Sequence, residues 1–384
     1  MKLSKVKISI DISPLANPHS GIGRSVSGLL SELLPLSASA GVSFQPYFRK
    51  MLGTAASHDI AEYNATRLRL PRSAEGLIRS LGLVEATTKA RLYHATDFYL
   101  PLKASTPAIS TIYDVIYATN PEGSGDQARI ATAMKRFVSQ CVRVISCSEY
   151  SAREFCTLYG YPENQVTVIN LGVDTKLFAP APQVAVPGNA GVPYFFAVSC
   201  NETRKNTPRL IRAFIRYALA GGSYNLKLAW HLPEHLTEEV RQAGLTDRII
   251  ALGKVSQDTL VALYQQAACV VFPSLYEGFG FPVIEALACG VPVMTTRRSS
   301  LPEVGGEVAL YVDGEDTDEM AQWMAAFERN ELGPVAQRSA IEGPDWAARF
   351  TWRNCAEKTL ETYLSALSEI DARPWKPLVL RPST

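Results

Sequence analysis

A short segment of the chain holds two glutamates, two glycines and a proline in an order that suits ligand binding. Glu277 and Glu285 are eight positions apart, with Gly278 and Gly280 between them and Pro282 following. Glycine lets a backbone approach a ligand closely, and a helix N-terminus offers free N–H groups at the positive end of a dipole. Carboxylates accept hydrogen bonds from sugar or ribose hydroxyls, each contributing roughly 1.5–3 kcal/mol. The segment is therefore predicted to bind a phosphorylated, hydroxyl-rich ligand.

The elements around this segment are predicted to be a strand, a loop and a helix. The apolar run Val270–Phe272 is typical of a buried strand. Proline suits the first turn of a helix, so a helix is predicted over Pro282–Cys289, with Glu285 in its first turn. Taken alone, the glutamates would be a favourable helix-start acid and a solvated loop acid. The order of strand, glycine loop and helix favours a binding site instead.

Two adjacent basic residues, Arg204 and Lys205, follow another predicted strand, Tyr194–Val198. Fixed cations at a strand end can bind a phosphate group and stabilise negative charge on it. The alternative is a solvated basic turn before a helix. No Asp-x-Asp pair stands at a strand end in an obvious metal geometry, so cationic side chains are expected to bind the phosphate, with no metal and no cofactor.

Composition narrows the functional class. The chain has 384 residues, enough for two or three domains, with 47% hydrophobic and 20% charged residues. The net charge of +1 gives no reason to expect nucleic acid binding. No apolar stretch is long enough to cross a membrane, and the N-terminal apolar run is too short and polar for a signal peptide. The seven cysteines show no metal or redox spacing, so we expect buried free thiols in a reducing cytoplasm.

Short β-branched runs alternate with helical stretches along the chain, which predicts an α/β fold with parallel sheets. The Pro-, Gly- and Ala-rich stretch 181–193 is predicted to link a domain over 1–180 to a second domain over 194–353. Ser151 and Glu154 have the spacing of a capping box for the helix after them. The predicted strands are Val6–Ile12, Leu92–Ala95, Ala108–Ile112, Val142–Cys147, Val166–Ile169, Tyr194–Val198, Leu226–Trp230, Ile249–Leu252, Val270–Phe272, Pro292–Thr295 and Ala309–Val312.

The glutamate segment resembles the E-x7-E signature of family 4, the retaining GT-B glycosyltransferases. Shorter motifs follow in the family's order over nearly the full chain: GIGR at 21–24, Ser148, GVD at 172–174, Phe178, NETRKN at 201–206, SSLPEV at 299–304 and LYVD at 310–313. The resemblance implies two doubly wound Rossmann-like domains facing a central cleft, the first binding the acceptor and the second the donor. It also implies that the final helix, within 354–384, packs back on the first domain.

The resemblance further implies roles for individual residues. Glu285 would accept hydrogen bonds from the donor ribose, and Glu277 would hold the donor sugar near the reacting centre. The side chains of Arg204 and Lys205 would bind the diphosphate and stabilise it as it leaves. The backbone N–H groups of Phe279, Gly280 and Phe281 would line the sugar and phosphate. The configuration of the transferred sugar would be retained.

A second glycine motif, Gly21-Ile-Gly23-Arg24, follows the first predicted strand. The third glycine of a dinucleotide fingerprint is replaced by Val26, so an NAD site is not predicted. The motif is predicted to form a tight loop before a helix over Ser25–Leu34. Either it is a simple turn, or it contributes to the site, with Arg24 contacting the acceptor or a phosphate.

The first domain departs from the family at one position. Relatives carry a His-Asp pair after a strand, whereas this chain has Tyr113 and Asp114 in the matching stretch. Tyrosine can donate a hydrogen bond but is uncharged near pH 7, so the departure bears on the donor sugar or on activity. His94 ends the preceding strand. It is either a further site residue or a buried histidine with satisfied nitrogens.

The stretch 49–91 carries a surplus of basic residues interleaved with leucines. Such a segment suits the anionic inner face of the plasma membrane, and hence a polyprenyl-linked or glycan acceptor; the alternative is a solvated domain face. The resemblance to bacterial mannosyl- and rhamnosyltransferases of surface polysaccharide or O-antigen synthesis favours GDP-mannose as donor, with UDP- or dTDP-sugars open. Other hypotheses are an epimerase, a phosphorylase, or a weakened homologue that acts as an assembly partner.

Overall fold

The computed structural model describes residues 6–37, 40–50, 63–69, 81–97, 99, 102–103, 105–119, 125–181, 191–198, 202–372 and 375–380. The chain divides into two units: Met1–Gly172 together with Thr351–Thr384, and Val173–Phe350. Most of the predicted linker lies outside the described residues, as does most of the basic stretch. No helix in the described part of the chain is both long and apolar enough to cross a membrane.

The first unit is built on seven described strands. In chain order its elements are β1 (Val6–Asp11), α1 (Gly21–Ser37), β2 (Val42–Lys50), β3 (Thr66–Arg69), α2 (Leu83–Thr88), β4 (Leu92–Ala95), β5 (Ala108–Ile112), α3 (Ile116–Thr119), α4 (Gly125–Val138), β6 (Cys141–Ser146), α5 (Glu149–Tyr159) and β7 (Val166–Val168). The strands are parallel in the order β3-β2-β1-β4-β5-β6-β7.

The second unit has six described strands. Its elements are β8 (Tyr194–Ala197), α6 (Thr207–Leu219), β9 (Asn225–Leu228), α7 (Glu234–Gln242), β10 (Ile249–Ala251), α8 (Gln257–Gln266), β11 (Cys269–Phe272), α9 (Phe281–Ala288), β12 (Val293–Thr296), α10 (Leu301–Gly305), β13 (Leu310–Val312), α11 (Thr317–Glu328) and α12 (Gly333–Ala347). Its parallel order is β10-β9-β8-β11-β12-β13. A last helix, α13 (Trp352–Ala372), belongs to the first unit.

Both sheets confirm the predicted doubly wound α/β architecture. Strand order reverses between β1 and β4 in the first sheet and between β8 and β11 in the second. At such a switch point, the loops leaving the two strands diverge and open a crevice at the carboxyl edge, where ligands of α/β proteins bind. The switch points therefore show where each unit can hold a ligand.

Eleven strands lie where their apolar runs predicted them, with ends shifted by at most two residues, but β2 and β3 were not predicted. These two carry Pro46 and several basic residues, and so lack the apolar run of a buried strand. They lie at one side of the first sheet, where β3 is an edge strand and apolar patterning is relaxed.

The start of one helix differs from its prediction. The cap of α5 is Ser148, whose side chain accepts a hydrogen bond from the Ser151 N–H at 3.2 Å. The capping box predicted from Ser151 and Glu154 is therefore wrong, because Ser151 already lies inside the first turn. The Ser148 side-chain oxygen accepts this backbone N–H whatever side chain lies three residues later, so the cap does not need a glutamate there.

The final helix packs into the core of the first unit. Its Leu360, Tyr363 and Leu367 belong to the apolar cluster formed by β1 and α1. A Cβ added at Gly28 of α1 would lie 2.2 Å from the Trp352 ring, so only glycine allows this approach. Arg143 and Arg91 form ion pairs with Glu369 and Asp371 of α13.

The cysteines that the structure describes are buried free thiols, as the sequence predicted: Cys141, Cys147, Cys156, Cys269, Cys289 and Cys355. Burial raises the pKa of Cys156 to about 11 and that of Cys289 to about 12. These thiols are therefore neutral and unreactive near pH 7. Cys200 lies outside the described residues.

Candidate functional site

The acidic and basic residues singled out in the second unit meet at its switch point. A short 3-10 turn, Thr203–Lys205, follows β8, and the Glu277 loop follows β11. Arg204 Nη1 lies 3.0 Å from Glu277 Oε2, and Lys205 Nζ lies 2.6 Å from Glu277 Oε1. Two cations on the turn after β8 thus contact one carboxylate on the loop after β11, the strand next to β8 at the switch point.

Hydroxyl groups hold the Glu277 loop in place. Ser274 Oγ donates to Glu277 Oε1 at 2.6 Å, and Ser299 Oγ accepts from the Glu277 N–H at 2.8 Å. Ser300 Oγ lies 2.8 Å from the Glu277 carbonyl and 2.9 Å from that of Phe279. No role was predicted for these serines. Ser299 and Ser300 belong to the SSLPEV motif, which was the available signal.

Asn206 connects the loops that follow β11 and β13. Its side-chain amide donates to the carbonyls of Pro273 at 3.0 Å and Gly314 at 2.6 Å. Its own φ is 60°, in the left-handed region that asparagine tolerates better than most residues. Asn206, the last residue of the NETRKN motif, therefore has a structural role. It holds these loops and lets the chain turn from Lys205 into α6.

The environment of Glu277 keeps it ionised. Its side chain is nearly buried, and burial alone would raise the pKa of the carboxyl group. The charges of Lys205 and Arg204, with the hydrogen bonds from Lys205 and Ser274, outweigh burial, so the pKa is lowered. At neutral pH the cluster is an ionised carboxylate between two cations.

The glycine loop leads directly into α9, which begins at Phe281, one residue before the prediction. Gly278 lies in this loop, and Gly280 caps the helix with a φ of 112°, a conformation that favours glycine. A Cβ at Gly280 would also lie 2.8 Å from Leu301 Cδ2. Phe279 is buried and packs edge-on against Phe281, with 5.4 Å between ring centroids. The N-terminus of α9 thus follows the Glu277 loop directly.

Glu285 is the fifth residue of α9, in the second turn and not the first as predicted, because the helix starts earlier and the first turn holds no acid. Its side chain is 1% exposed, and Tyr264 of α8 donates a hydrogen bond to Glu285 Oε2 at 2.8 Å. A carboxylate buried at this depth needs polar partners. Glu285 is therefore not a solvated acid at a helix start, which was the alternative that the sequence left open.

In the first unit, the GIGR motif is the first turn of α1 and not a loop before it. The tight turn lies upstream, and Ser20 Oγ accepts a hydrogen bond from the Gly23 N–H at 3.0 Å. A Cβ at Gly23 would lie 2.1 Å from the carbonyl oxygen of Asn17, which explains the glycine there. Gly21 is exposed, with open space around it, and Arg24 is partly exposed.

Tyr113 and Asp114 follow β5. The Tyr113 hydroxyl hydrogen-bonds to Ser25 of α1, and burial raises its pKa well above the usual value, so it stays neutral. Ser25 Oγ in turn donates to the Gly21 carbonyl at 2.8 Å, which links Tyr113 to the first turn of α1. Asp114 Oδ1 accepts from the Ile116 N–H at 3.2 Å, at the start of α3.

His94 is fully buried in the first unit. Its Nδ1 lies 2.6 Å from the Tyr363 hydroxyl and its Nε2 lies 2.8 Å from Thr111 Oγ1. Burial lowers its pKa to about 3, so the ring is neutral. Of the two roles that the sequence left open for His94, the structure matches the buried histidine with satisfied nitrogens.

Metal ligands do not cluster in the described part of the chain: no group of three or more His, Cys, Asp or Glu side chains could hold an ion there. What the described residues offer instead, in the second unit, is a pair of cations, a helix N-terminus and two buried carboxylates.

Comparison with known proteins agrees with this chemistry. Residues 194–330 match the family described as "Glycosyl transferases group 1", and residues 54–177 match "Glycosyltransferase Family 4". The chain is 27% identical to O-antigen chain mannosyltransferase B of Escherichia coli, over 93% of this chain and 99% of that protein. It is 30% identical to the MMP alpha-(1->4)-mannosyltransferase of Mycolicibacterium hassiacum, over 62% of this chain and 57% of the relative.

The fold has close counterparts among solved structures. Anabaena HepE, crystallised with UDP and glucose, superposes with a TM-score of 0.72 at 17% identity, over 94% of this chain and 100% of that one. At this identity the likeness concerns the fold, and that fold is the two-domain GT-B architecture. The matched families, the order of their domains and the glutamate segment agree, and the chain belongs to the family 4 glycosyltransferases of the GT-B type.

Proposed function

We propose that this enzyme transfers a sugar, with retention of configuration, from a nucleoside diphosphate to a glycan or polyprenyl-linked acceptor in bacterial polysaccharide or O-antigen synthesis. The observation that carries the proposal is Glu277, held between Arg204 and Lys205 at a sheet switch point beside the start of α9. Cations at this place can bind a diphosphate and stabilise the charge that develops on it as the sugar leaves. No metal or cofactor is needed for this chemistry.

In this proposal the carboxylates position the donor and transfer no proton. Glu285 accepts hydrogen bonds from the ribose, and Glu277 holds the donor sugar. The backbone N–H groups of Phe279, Gly280 and Phe281 line the sugar and phosphates, a use that the helix start at Phe281 supports. In the first unit, Arg24, with Gly21 and Gly23 in the first turn of α1, contacts the acceptor or a phosphate.

The proposed donor is GDP-mannose, from which mannose is transferred. Its support is the two relatives named as mannosyltransferases, one of them aligned over nearly the full length of both chains. A UDP-sugar is the second candidate, because the similarly folded HepE was crystallised with UDP and glucose; a dTDP-sugar is the third. A weakened homologue that serves as an assembly partner is favoured only by Tyr113 at the family histidine position.

We further propose that the enzyme lies in the cytoplasm and contacts the inner face of the plasma membrane, where a lipid-linked acceptor would be. Its support is the basic, leucine-bearing stretch 49–91 of the sequence and the O-antigen relative. Sedimentation with vesicles of anionic lipid, compared with neutral vesicles, tests the contact. Binding to neither kind of vesicle would contradict it.

The donor is tested first by thermal unfolding with GDP, UDP, dTDP, CMP and NAD. A ligand at a hundredfold excess over its Kd stabilises the folded state by about 2.7 kcal/mol. We expect GDP to raise the melting temperature of the wild type but not of Glu285→Ala. The matched control is Glu307→Ala, an exposed acid of the same unit that should keep the rise. A response only to NAD, or to none of these compounds, would overturn the donor proposal.

Turnover and stereochemistry are tested next with GDP-mannose and a polyprenyl-linked oligosaccharide. Nuclear magnetic resonance of the product reports the anomeric configuration of the new linkage. Retention supports the proposal, and inversion would reject its mechanism while leaving the transfer intact. Nucleotide binding without any transfer would favour the assembly-partner hypothesis.

A further inference from the structure

A serine at the start of α10 directs its side chain to a neighbouring loop instead of its own helix. Ser300 immediately precedes α10 and is fully buried. A serine at this position usually accepts a hydrogen bond from a backbone N–H of the first turn. The Ser300 side chain makes no such bond, and its hydroxyl donates to the carbonyls of Glu277 at 2.8 Å and Phe279 at 2.9 Å. This buried hydroxyl is therefore committed to the glycine loop.

The residues on either side of this serine contact the same loop. Ser299 Oγ accepts a hydrogen bond from the Glu277 N–H at 2.8 Å. Leu301 packs against Gly280, since a Cβ added to that glycine would lie 2.8 Å from Leu301 Cδ2. Ser299 itself has a φ of 49°, a conformation that is unfavourable for serine and persists only where the surrounding contacts hold it. Three consecutive residues, Ser299–Leu301, thus hold the glycine loop; we call them the SSL segment.

These contacts fix the direction of a peptide group in the loop. Every peptide bond in the described part of the chain is trans. In a trans peptide the Phe279 carbonyl and the Gly280 N–H lie in one plane and point in opposite directions. Because Ser300 binds the carbonyl, the Gly280 N–H points away from the SSL segment. This N–H comes directly before α9, which begins at Phe281, and the start of a helix is where anions bind.

We infer that Ser300 is a positioning residue of the donor site, which turns the Gly280 N–H toward the diphosphate without contacting the donor itself. The inference rests on the proposed function, since it requires a nucleoside diphosphate at the start of α9. Glycine allows many backbone conformations, so the Phe279–Gly280 peptide keeps its direction only if something else holds it. A donor group that is oriented before the ligand arrives loses less freedom on binding, and the affinity is higher for that reason.

Isothermal titration calorimetry with GDP and inorganic pyrophosphate measures this contribution. We expect Ser300→Ala to raise the Kd of both compounds about tenfold, the value of one hydrogen bond to a charged group, because both contain the diphosphate. Ser300→Thr keeps the hydroxyl and should keep most of the affinity. If Ser300→Ala does not fold, Ser300→Cys replaces it, because a thiol is only a weak donor.

Tyr194→Phe is the matched control for a purely structural effect. It removes another buried hydroxyl of the same unit, which donates to the Leu263 carbonyl at 3.0 Å. Tyr194 begins β8, at the amino edge of the sheet and away from the glycine loop. Both Ser300→Ala and Tyr194→Phe should lower the melting temperature. At a temperature where both are folded, only Ser300→Ala should bind pyrophosphate more weakly.

Hydrogen–deuterium exchange of the glycine loop gives an independent readout. GDP should slow the exchange of amides in a peptide that covers residues 277–281 of the wild type. This protection should be reduced in Ser300→Ala and kept in Tyr194→Phe.

Wild-type Kd values for GDP and pyrophosphate in a folded Ser300→Ala enzyme, or in its Ser300→Cys replacement, would overturn the inference while the proposed function stands. Weaker binding of GDP with unchanged binding of pyrophosphate would also overturn it, since the loop would then not contact the diphosphate. If the wild type binds neither compound, the proposed function fails and the inference fails with it.

Discussion

Glu277 is the residue on which the proposed chemistry depends, and its surroundings give it two separable functions. It neutralises Arg204 and Lys205, whose side chains are 20% and 17% exposed, and in the proposed function it also holds the donor sugar. A carboxylate that bridges two poorly solvated cations cannot be removed without leaving them uncompensated. Its substitution should therefore affect both stability and catalysis.

We predict that Glu277→Gln lowers kcat/KM about 10²- to 10³-fold and destabilises the fold by roughly 3 kcal/mol. The loss of stability should be greatest at neutral pH. The lowered pKa means that Glu277 stabilises the fold above its unfolded-state pKa of 4.5, and this contribution disappears as the pH falls through the folded-state value. Steady-state kinetics and chemical unfolding at pH 4 and pH 7 measure both effects.

Glu202→Gln is the matched control, because Glu202 also pairs with Arg204, at 2.6 Å, but is 57% exposed. Exposed pairs contribute about 0–1 kcal/mol, so this variant should keep its stability. A Glu277→Gln enzyme with near-wild-type kcat/KM would remove Glu277 from the donor site.

Tyr113 stands where the family resemblance led us to expect a histidine. Its hydroxyl bonds to Ser25, so the first-turn geometry of α1 depends on a neutral group at this position. We predict that Tyr113→Phe lowers kcat up to about tenfold, the value of one neutral hydrogen bond, while nucleotide binding is kept. Ser25→Ala removes the same bond from the other side. Equal losses in the two variants would mean that Tyr113 acts only through α1, whereas a loss confined to Tyr113→Phe would indicate contact with a ligand.

At the scale of elements, α13 is tied to the first sheet by a buried polar contact. Tyr363 of α13 reaches His94 of β4 and lies edge-on to it, with 5.5 Å between ring centroids. Both side chains are fully buried. The last helix of the chain thereby supplies a hydrogen-bond partner to the side chain of His94 in β4.

We predict that Tyr363→Phe destabilises the protein by about 1–3 kcal/mol, because one nitrogen of His94 is left buried without its partner. Urea unfolding measures the loss. Leu364→Ala, one position along the same helix but 45% exposed, should cost far less. If the two variants proved equally stable, the His94–Tyr363 contact would contribute nothing to the docking of α13.

Burial of His94 also predicts a dependence of stability on pH. The pKa of His94 falls from 6.5 to about 3 on folding, so between these values the unfolded chain binds a proton that the folded protein does not. Stability from this group is complete above pH 6.5 and falls with decreasing pH, by at most about 1.4 kcal/mol per unit. His94→Gln should flatten the unfolding free energy between pH 5 and 7. Substitution of the exposed His19 by glutamine should leave the slope unchanged.

At the scale of the whole molecule, the two units differ in continuity. The second is one stretch, Val173–Phe350, whereas the first needs both Met1–Gly172 and Thr351–Thr384. Leu360, Tyr363 and Leu367 of α13 fill the core of the first unit. Burial of each such side chain contributes roughly 1.5–3 kcal/mol, which is a large part of the 5–15 kcal/mol that stabilises a typical domain.

We predict that a fragment of residues 173–350 folds alone and binds the same nucleoside diphosphate as the full chain. A fragment of residues 1–172 should fold only when residues 351–384 are added. Circular dichroism with thermal melting reports both outcomes. A cooperative transition of 1–172 by itself would show that α13 is dispensable for the first core.

Local patterns alone were enough to predict much of this protein. Eleven of the thirteen described strands and the segment from β11 to α9 were predictable, because a buried parallel strand is a continuous apolar run and a glycine loop before a helix is a local signal. The family resemblance depends on the same local segments. The outer strands β2 and β3 escaped this reasoning because their residues lack that pattern.

Only the tertiary structure decided what those segments contact. Glu277 meets Arg204 and Lys205 across more than seventy residues of sequence, and His94 is buried by a tyrosine 269 residues away. Burial and charge pairing arise when distant segments pack together, so no local pattern contains them, whereas strand and helix periodicity is set by neighbouring residues.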